Sequence, residues 1–129
     1  MNTRQVESIL HEIGTDVHHD PPGWSLYVSD IYVLCILNET TNRVRLMAPV
    51  SETKGMSPEL LSVCLEANFD RTLDARYCLC DETVWAVFLH PLSSLNTNLL
   101  HSGIEQVVSL TKNFGTTFAG GDLAFEADE

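Results

Sequence analysis

An α+β domain built on a single antiparallel sheet is the fold class this sequence predicts. Three observations lead there. Segments of strand character are grouped, three and then two, rather than alternating one by one with helical segments. Short polar turns, residues 38–42 and Asp81-Glu82, join neighbouring strand segments as antiparallel hairpins require. Helical segments flank and separate the two groups, giving the order α-β-β-β-α-β-β-α.

The first helix is expected over residues 2–13, because Val6, Ile9, Leu10 and Ile13 fall on one stripe and Gly14 follows as a terminator. Residues 15–23 hold Asp16, His18, His19, Asp20, Pro21 and Pro22, a composition that predicts a loop. Strands are expected at 24–28, 31–37 and 43–50. The last alternates, with Val44, Leu46, Ala48 and Val50 on one face and Arg43, Arg45 and Met47 on the other.

Ser57-Pro58 is a helix start, a capping side chain followed by the imino acid that suits the first helical position. In the helix expected over 58–69, Leu60, Leu61, Val63, Cys64, Leu65 and Ala67 spread over an arc of about 200°, where burial against one layer needs a stripe of only about 100°. The surplus predicts a homodimer, with Leu61 and Leu65 as its interface residues. A second hairpin follows, 76–80 and 83–89, stopped by Pro91. The last helix, capped near Asn96 and ended by Gly115, sets Leu99, Leu100, Ile104, Val107, Val108, Leu110 and Phe114 on one side. A single domain is therefore expected over residues 1–118, with an acidic flexible tail over 119–129.

The 129 residues suit one domain, and 44% apolar and 19% charged residues at a mean hydropathy of +0.02 are globular values. The net charge is −11, and the seven Lys and Arg are scattered between Arg4 and Lys112. Nucleic-acid binding needs a concentrated basic footprint, so no nucleic-acid partner is expected, and the same argument counts against an anionic membrane surface. No apolar run approaches the roughly 18–20 residues of a transmembrane helix. Polar Asn2, Thr3 and Arg4 follow Met1 without a signal-peptide core. Cys35, Cys64, Cys78 and Cys80 are read as reduced, buried thiols of a cytoplasmic protein.

The stretch Glu59-Leu-Leu-Ser-Val-Cys-Leu-Glu-Ala-Asn68, then a hairpin ending in Phe88-Leu-His-Pro-Leu92, then Leu95 and an amphipathic helix, resembles the type III secretion chaperone fold. That fold is shared by class I (CesT-type) effector chaperones and the YbjN-type sensory-transduction-regulator family. The resemblance implies a small acidic homodimer that does no chemistry. On the chaperone side it implies capture of an apolar or extended segment of a partner protein. On the YbjN side it implies a regulatory or accessory protein acting through protein contacts.

No catalytic residue, metal ligand or cofactor is expected. Cys78-x-Cys80 lacks the second pair or turn spacing of a zinc site, and His18-His19-Asp20 lacks a second cluster at ligand distance. Nucleophile-elbow, phosphate-loop and dinucleotide glycine motifs are missing, and no carboxylate pair can be assembled into an acid/base dyad. The candidate partner-binding residues are instead Trp24, Tyr32, Met47 and Trp85 on the sheet. Residues 31–37 are apolar on both faces, where a half-solvated sheet is polar on one. Aromatic rings and methionine also supply large, adaptable contact area. Trp24 follows Pro21-Pro22-Gly23 and is expected half exposed at the sheet margin.

Overall fold

Asn2 starts the first helix through a reciprocal cap. Its side chain accepts from the Gln5 backbone N–H, and the Gln5 side chain accepts from the Asn2 N–H, both at 2.9 Å. In the computed structural model, which describes residues 1–114, α1 spans Thr3–Ile13 and buries Val6, Ile9 and Leu10. The tail expected at 119–129, and the domain end expected at 118, lie outside the described residues.

The next segment departs from expectation. Residues Thr15–Asp20 form a strand, β1, where composition predicted a loop. β1 pairs antiparallel with β2 (Gly23–Val28), with a register shift between Thr15 and His18. It is an edge strand, exposed along nearly all its length, so backbone hydrogen bonds rather than apolar burial place it there.

β3 (Ile31–Asn38) and β4 (Arg43–Glu52) extend the sheet. After α2 (Pro58–Asp70), β5 (Arg76–Cys80) and β6 (Thr83–Pro91) form the second hairpin, and α3 (Thr97–Asn113) closes the described chain. The two tight turns place both central residues at positive φ, 49° and 67° at Ser29-Asp30 and 50° and 62° at Asp81-Glu82. That backbone matches the twist of the strands it joins. The sheet order is β1-β2-β3-β4-β6-β5, antiparallel throughout. An α+β fold on one antiparallel sheet is thus what the chain adopts, with β1 added to the expected elements.

One core lies between this sheet and the helices. It is built from Trp24, Leu26, Val33, Cys35, Val44, Leu46, Ala48, Ala86 and Phe88 of the strands against Leu10, Leu100, Ile104 and Val107. Gly103 lets α3 sit close to the sheet: a Cβ there would fall 2.7 Å from the Phe88 ring and 2.8 Å from Leu46. Gln106, left out of the expected apolar stripe, is buried. Its Oε1 accepts from the Asp74 and Ala75 N–H groups, both at 2.9 Å, which fastens the α2–β5 connection to α3.

α2 lies at the β5 end of the sheet. Ser57 caps it as expected, and Cys64 and Ala67 are buried beneath it. Asn68 then acts as a short piece of strand: its Oδ1 accepts from the Tyr77 N–H at 2.8 Å and its Nδ2 donates to the Tyr77 carbonyl at 3.0 Å. The outer backbone edge of β5 is therefore taken at Tyr77.

Candidate partner-binding surface

Because side chains alternate across a strand, each core residue of the sheet implies an outward neighbour. On β3, Val33 and Cys35 face the core, so Tyr32, Leu34 and Ile36 face away. On β6, Val84, Ala86 and Phe88 face the core, so Trp85, Val87 and Leu89 face away. Strand register lines these residues up: Ser25, Leu34, Met47, Val87 and Arg76 form one row, and Ile36, Arg45 and Leu89 the next. Pro49, Trp85 and Cys78 form a third, and Tyr27 and Tyr32 meet at 5.4 Å between ring centroids. No described helix covers this face. It is apolar across four strands.

At its β5 end the face dips into a cavity of about 380 Å³ lined by Arg45, Met47, Asp74, Arg76, Cys78, Cys80, Trp85, Val87 and Leu89. Arg43, Arg45 and Arg76, three of the seven basic residues of a chain of net charge −11, are on this face. Arg76 is braced by donating to the Ala75 carbonyl at 2.8 Å, to the Leu73 carbonyl and to Thr72 Oγ1 at 3.2 Å. The Arg45 side chain makes no hydrogen bond or ion pair among the described residues. Asp74, the one carboxylate of the lining, accepts from Gln106 Nε2 at 3.2 Å. Burial pushes the Cys78 thiol above its ordinary range, while the Arg45 and Arg76 charges pull it back.

Tyr32, Met47 and Trp85 thus share one surface. Trp24 does not join them. It is 2% exposed, pairs with buried Cys35, stacks on His19 at 4.7 Å, and donates from Nε1 to Glu7 Oε1 at 2.9 Å. The expected half exposure fails because β1 continues the sheet past β2, so Trp24 is covered where a margin was expected. Sequence reasoning also passed over Arg45, Arg76 and Leu89. The signal was present: Arg43 and Arg45 share a face with Met47, and 84–89 is apolar at every position.

A second apolar surface runs along α2 and β5. Leu61 is half-buried against the core, while Leu65 is 70% and Phe69 89% exposed. Leu73 and Leu79 continue the strip, Leu73 with a left-handed backbone at φ 61° that is costly for a branched side chain. A groove of about 220 Å³ opens between Leu61, Leu65, Tyr77 and Leu79.

Two of the four thiols depart from the buried reading. Cys35 and Cys64 are buried, and burial pushes them up to about 12 and about 11. Cys78 and Cys80 are exposed, because β5 is an edge strand whose outer face no described element covers. Among the described residues, no three His, Cys, Asp or Glu gather as a metal-holding group, and no helix is long and apolar enough to cross a membrane.

No protein-family model matches the chain, and no curated protein matches it in sequence. Solved structures do match in fold. A chain of the HopA1–SchA chaperone–effector complex superposes with a TM-score of 0.66 at 11% identity, over 84% of this chain and 88% of that one. A chain of the ExsC–ExsE complex gives 0.66 at 14% identity, over 86% and 91%. An uncharacterized protein from Methanothermobacter thermautotrophicus gives 0.59 at 13% identity, over 89% of this chain and 100% of that one. The expected resemblance therefore holds at the level of architecture: this chain has the type III secretion chaperone-like fold.

Proposed function

We propose that the protein is a non-enzymatic binding module, a chaperone-like acidic homodimer that captures an apolar or extended segment of a partner protein on the open face of its sheet. One observation carries this reading: a sheet face apolar across four strands, with no described layer over it, where a half-solvated sheet is polar. Tyr32, Met47 and Trp85 are its contact residues. The arginines at its edge favour a segment that carries carboxylates among its apolar side chains.

The second apolar strip, Leu65, Phe69, Leu73 and Leu79, is assigned to a second copy of the chain. Two molecules of equal, strongly negative charge repel, and an uncharged strip is where they can meet. Free thiols fit a cytoplasmic setting. A regulatory or accessory protein of the YbjN type is the second reading.

The test is a fluorescein-labelled peptide of alternating leucine or phenylalanine and glutamate, titrated into the full chain and into folded Tyr32→Ala, Met47→Ala and Trp85→Ala variants. Binding that weakens about tenfold or more at Trp85 supports the docking surface. No binding, or equal binding by all four proteins, removes it.

A further inference from the structure

We propose that Cys78 and Cys80 form a two-coordinate site for a soft monovalent cation of the Cu(I) class, held by both thiolates, with Arg45 and Arg76 balancing the negative charge that the complex carries. The site lies at the β5 end of the open face and does not depend on partner capture there.

Geometry brings the two thiols together without letting them join. β5 alternates, with Tyr77 buried and Arg76, Cys78 and Cys80 lining the cavity on the other face. Residues two apart on a strand have Cβ atoms about 6.5–7 Å apart. A disulfide needs roughly 3.5–4.5 Å, so the pair cannot close on itself while β5 stays paired with β6. A cation fits the gap. With each C–S bond leaning inward the sulfurs come to roughly 4–5 Å, and a linear sulfur–metal–sulfur unit with bonds of about 2.3 Å matches that span. Cys78 Sγ lies 3.9 Å from the Arg76 carbonyl and Cys80 Sγ 3.8 Å from Asp81 Oδ2, so each sulfur reaches the ion by one turn about χ1. Both side chains are exposed, where rotamers interchange freely.

The donor set selects the ion. Two thiolates fall short of the four ligands of structural zinc, and no third His, Cys, Asp or Glu gathers with them among the described residues. Soft sulfur ligands suit Cu(I), a d10 ion that two of them satisfy. Two thiols and one Cu(I) give a bis-thiolate complex of charge −1 and release two protons. Over most of a molecule of net charge −11 that complex is repelled. Here it meets Arg76 and Arg45, the latter with a side chain that makes no hydrogen bond or ion pair among the described residues. Burial raises the Cys78 thiol, and these two charges work against it. Asp74, the carboxylate of the same lining, is engaged by Gln106 Nε2 at 3.2 Å. Cys35 and Cys64 are buried and stand apart from the cavity.

Equilibrium dialysis tests the site. The reduced full chain is dialysed without oxygen against Cu(I) in excess glutathione, a competing single thiol, and copper per chain is measured by elemental analysis. Circular dichroism checks that each variant is folded. Wild type should hold one copper per chain. Cys78→Ser and Cys80→Ser should each bind at least about 100-fold more weakly, because the second thiolate of a pre-placed pair acts at high effective concentration. Arg45→Gln should weaken binding about tenfold, whereas Lys112→Gln, the same charge change on α3, should leave it unaltered. Failure of wild type to keep copper against glutathione overturns the proposal. So does copper held equally by Cys78→Ser/Cys80→Ser, which places the ion on the buried thiols, or one copper per two chains, which makes it a bridge between copies. Zinc(II) retained as firmly as copper contradicts the two-coordinate assignment, and equal binding by Arg45→Gln and Lys112→Gln removes the arginine from the site.

Discussion

Gln106 does for α3 what no apolar residue at that position could do. Two backbone N–H groups, of Asp74 and Ala75, end on its carbonyl oxygen, and its amide donates to Asp74 and to Ser102 Oγ. Gln106→Leu keeps the bulk and strands both donors, at about 1–3 kcal/mol for a buried group left unsatisfied. Urea unfolding should show that loss, and a variant as stable as wild type would mean the clamp is incidental. The buried thiols make a second prediction at this scale. The ordinary value of 9.0 is raised to about 12 at Cys35 and about 11 at Cys64, so the folded state keeps these protons where the unfolded chain releases them. Their contribution is fully present below pH 9 and is lost as pH rises towards 11 and 12, with a slope of up to about 1.4 kcal/mol per pH unit for each group. Stability measured from pH 8 upward should fall above 9, and more gently in Cys35→Ala; an identical profile in that variant would contradict the assignment. In the same samples, Cys78 and Cys80 should react with a thiol reagent in the native protein, and Cys35 and Cys64 only after unfolding.

Elements with a buried face could be read from the sequence, and those without one could not. The stripe of Val6, Ile9 and Leu10, the Ser57-Pro58 start and the alternation of Val44, Leu46 and Ala48 each appear in the structure because apolar periodicity and capping chemistry are local. β1 was invisible for the opposite reason: Thr15-Asp-Val-His-His-Asp20 pairs through its backbone, and backbone pairing leaves no residue pattern. The outward side of α2 was undecidable between Leu61 and Leu65 until β5 was in place beside it. Leu65 is the exposed one, so Leu65→Asp should split the proposed homodimer by desolvating a charge without a partner. Light scattering that finds a monomer in wild type, or a dimer unchanged in Leu65→Asp, would contradict the assigned interface. Gly103 supplies the prediction for α3. Alanine gains about 1 kcal/mol of helix propensity, but its Cβ would meet the packed Phe88 ring at 2.7 Å, and overpacking costs about 1–3 kcal/mol. Gly103→Ala should therefore be neutral to about 2 kcal/mol less stable, where the same change at an exposed helix site stabilises.

At the scale of the molecule, the sheet divides the chain into a covered face and an open one, and the two tryptophans mark them. Trp24 and Trp85 look alike in sequence, each on a strand among apolar neighbours, and the choice between them depended on which face the helices would cover. That is a long-range fact: α3 lies over β4 and β6, and β1 shields β2. The apolar surplus of the open face was legible in 31–37, whereas its cationic edge was not, because Arg45 and Arg76 are neighbours only after β6 pairs with both β4 and β5. Two tryptophans on opposite faces give a control within one molecule. In an NMR titration with the leucine–glutamate peptide, the Trp85 indole and Met47 methyl resonances should shift with the peptide. The Trp24 indole, buried and hydrogen-bonded to Glu7, should stay in place. A Trp24 signal that moves while Trp85 and Met47 remain still would contradict capture on the open face.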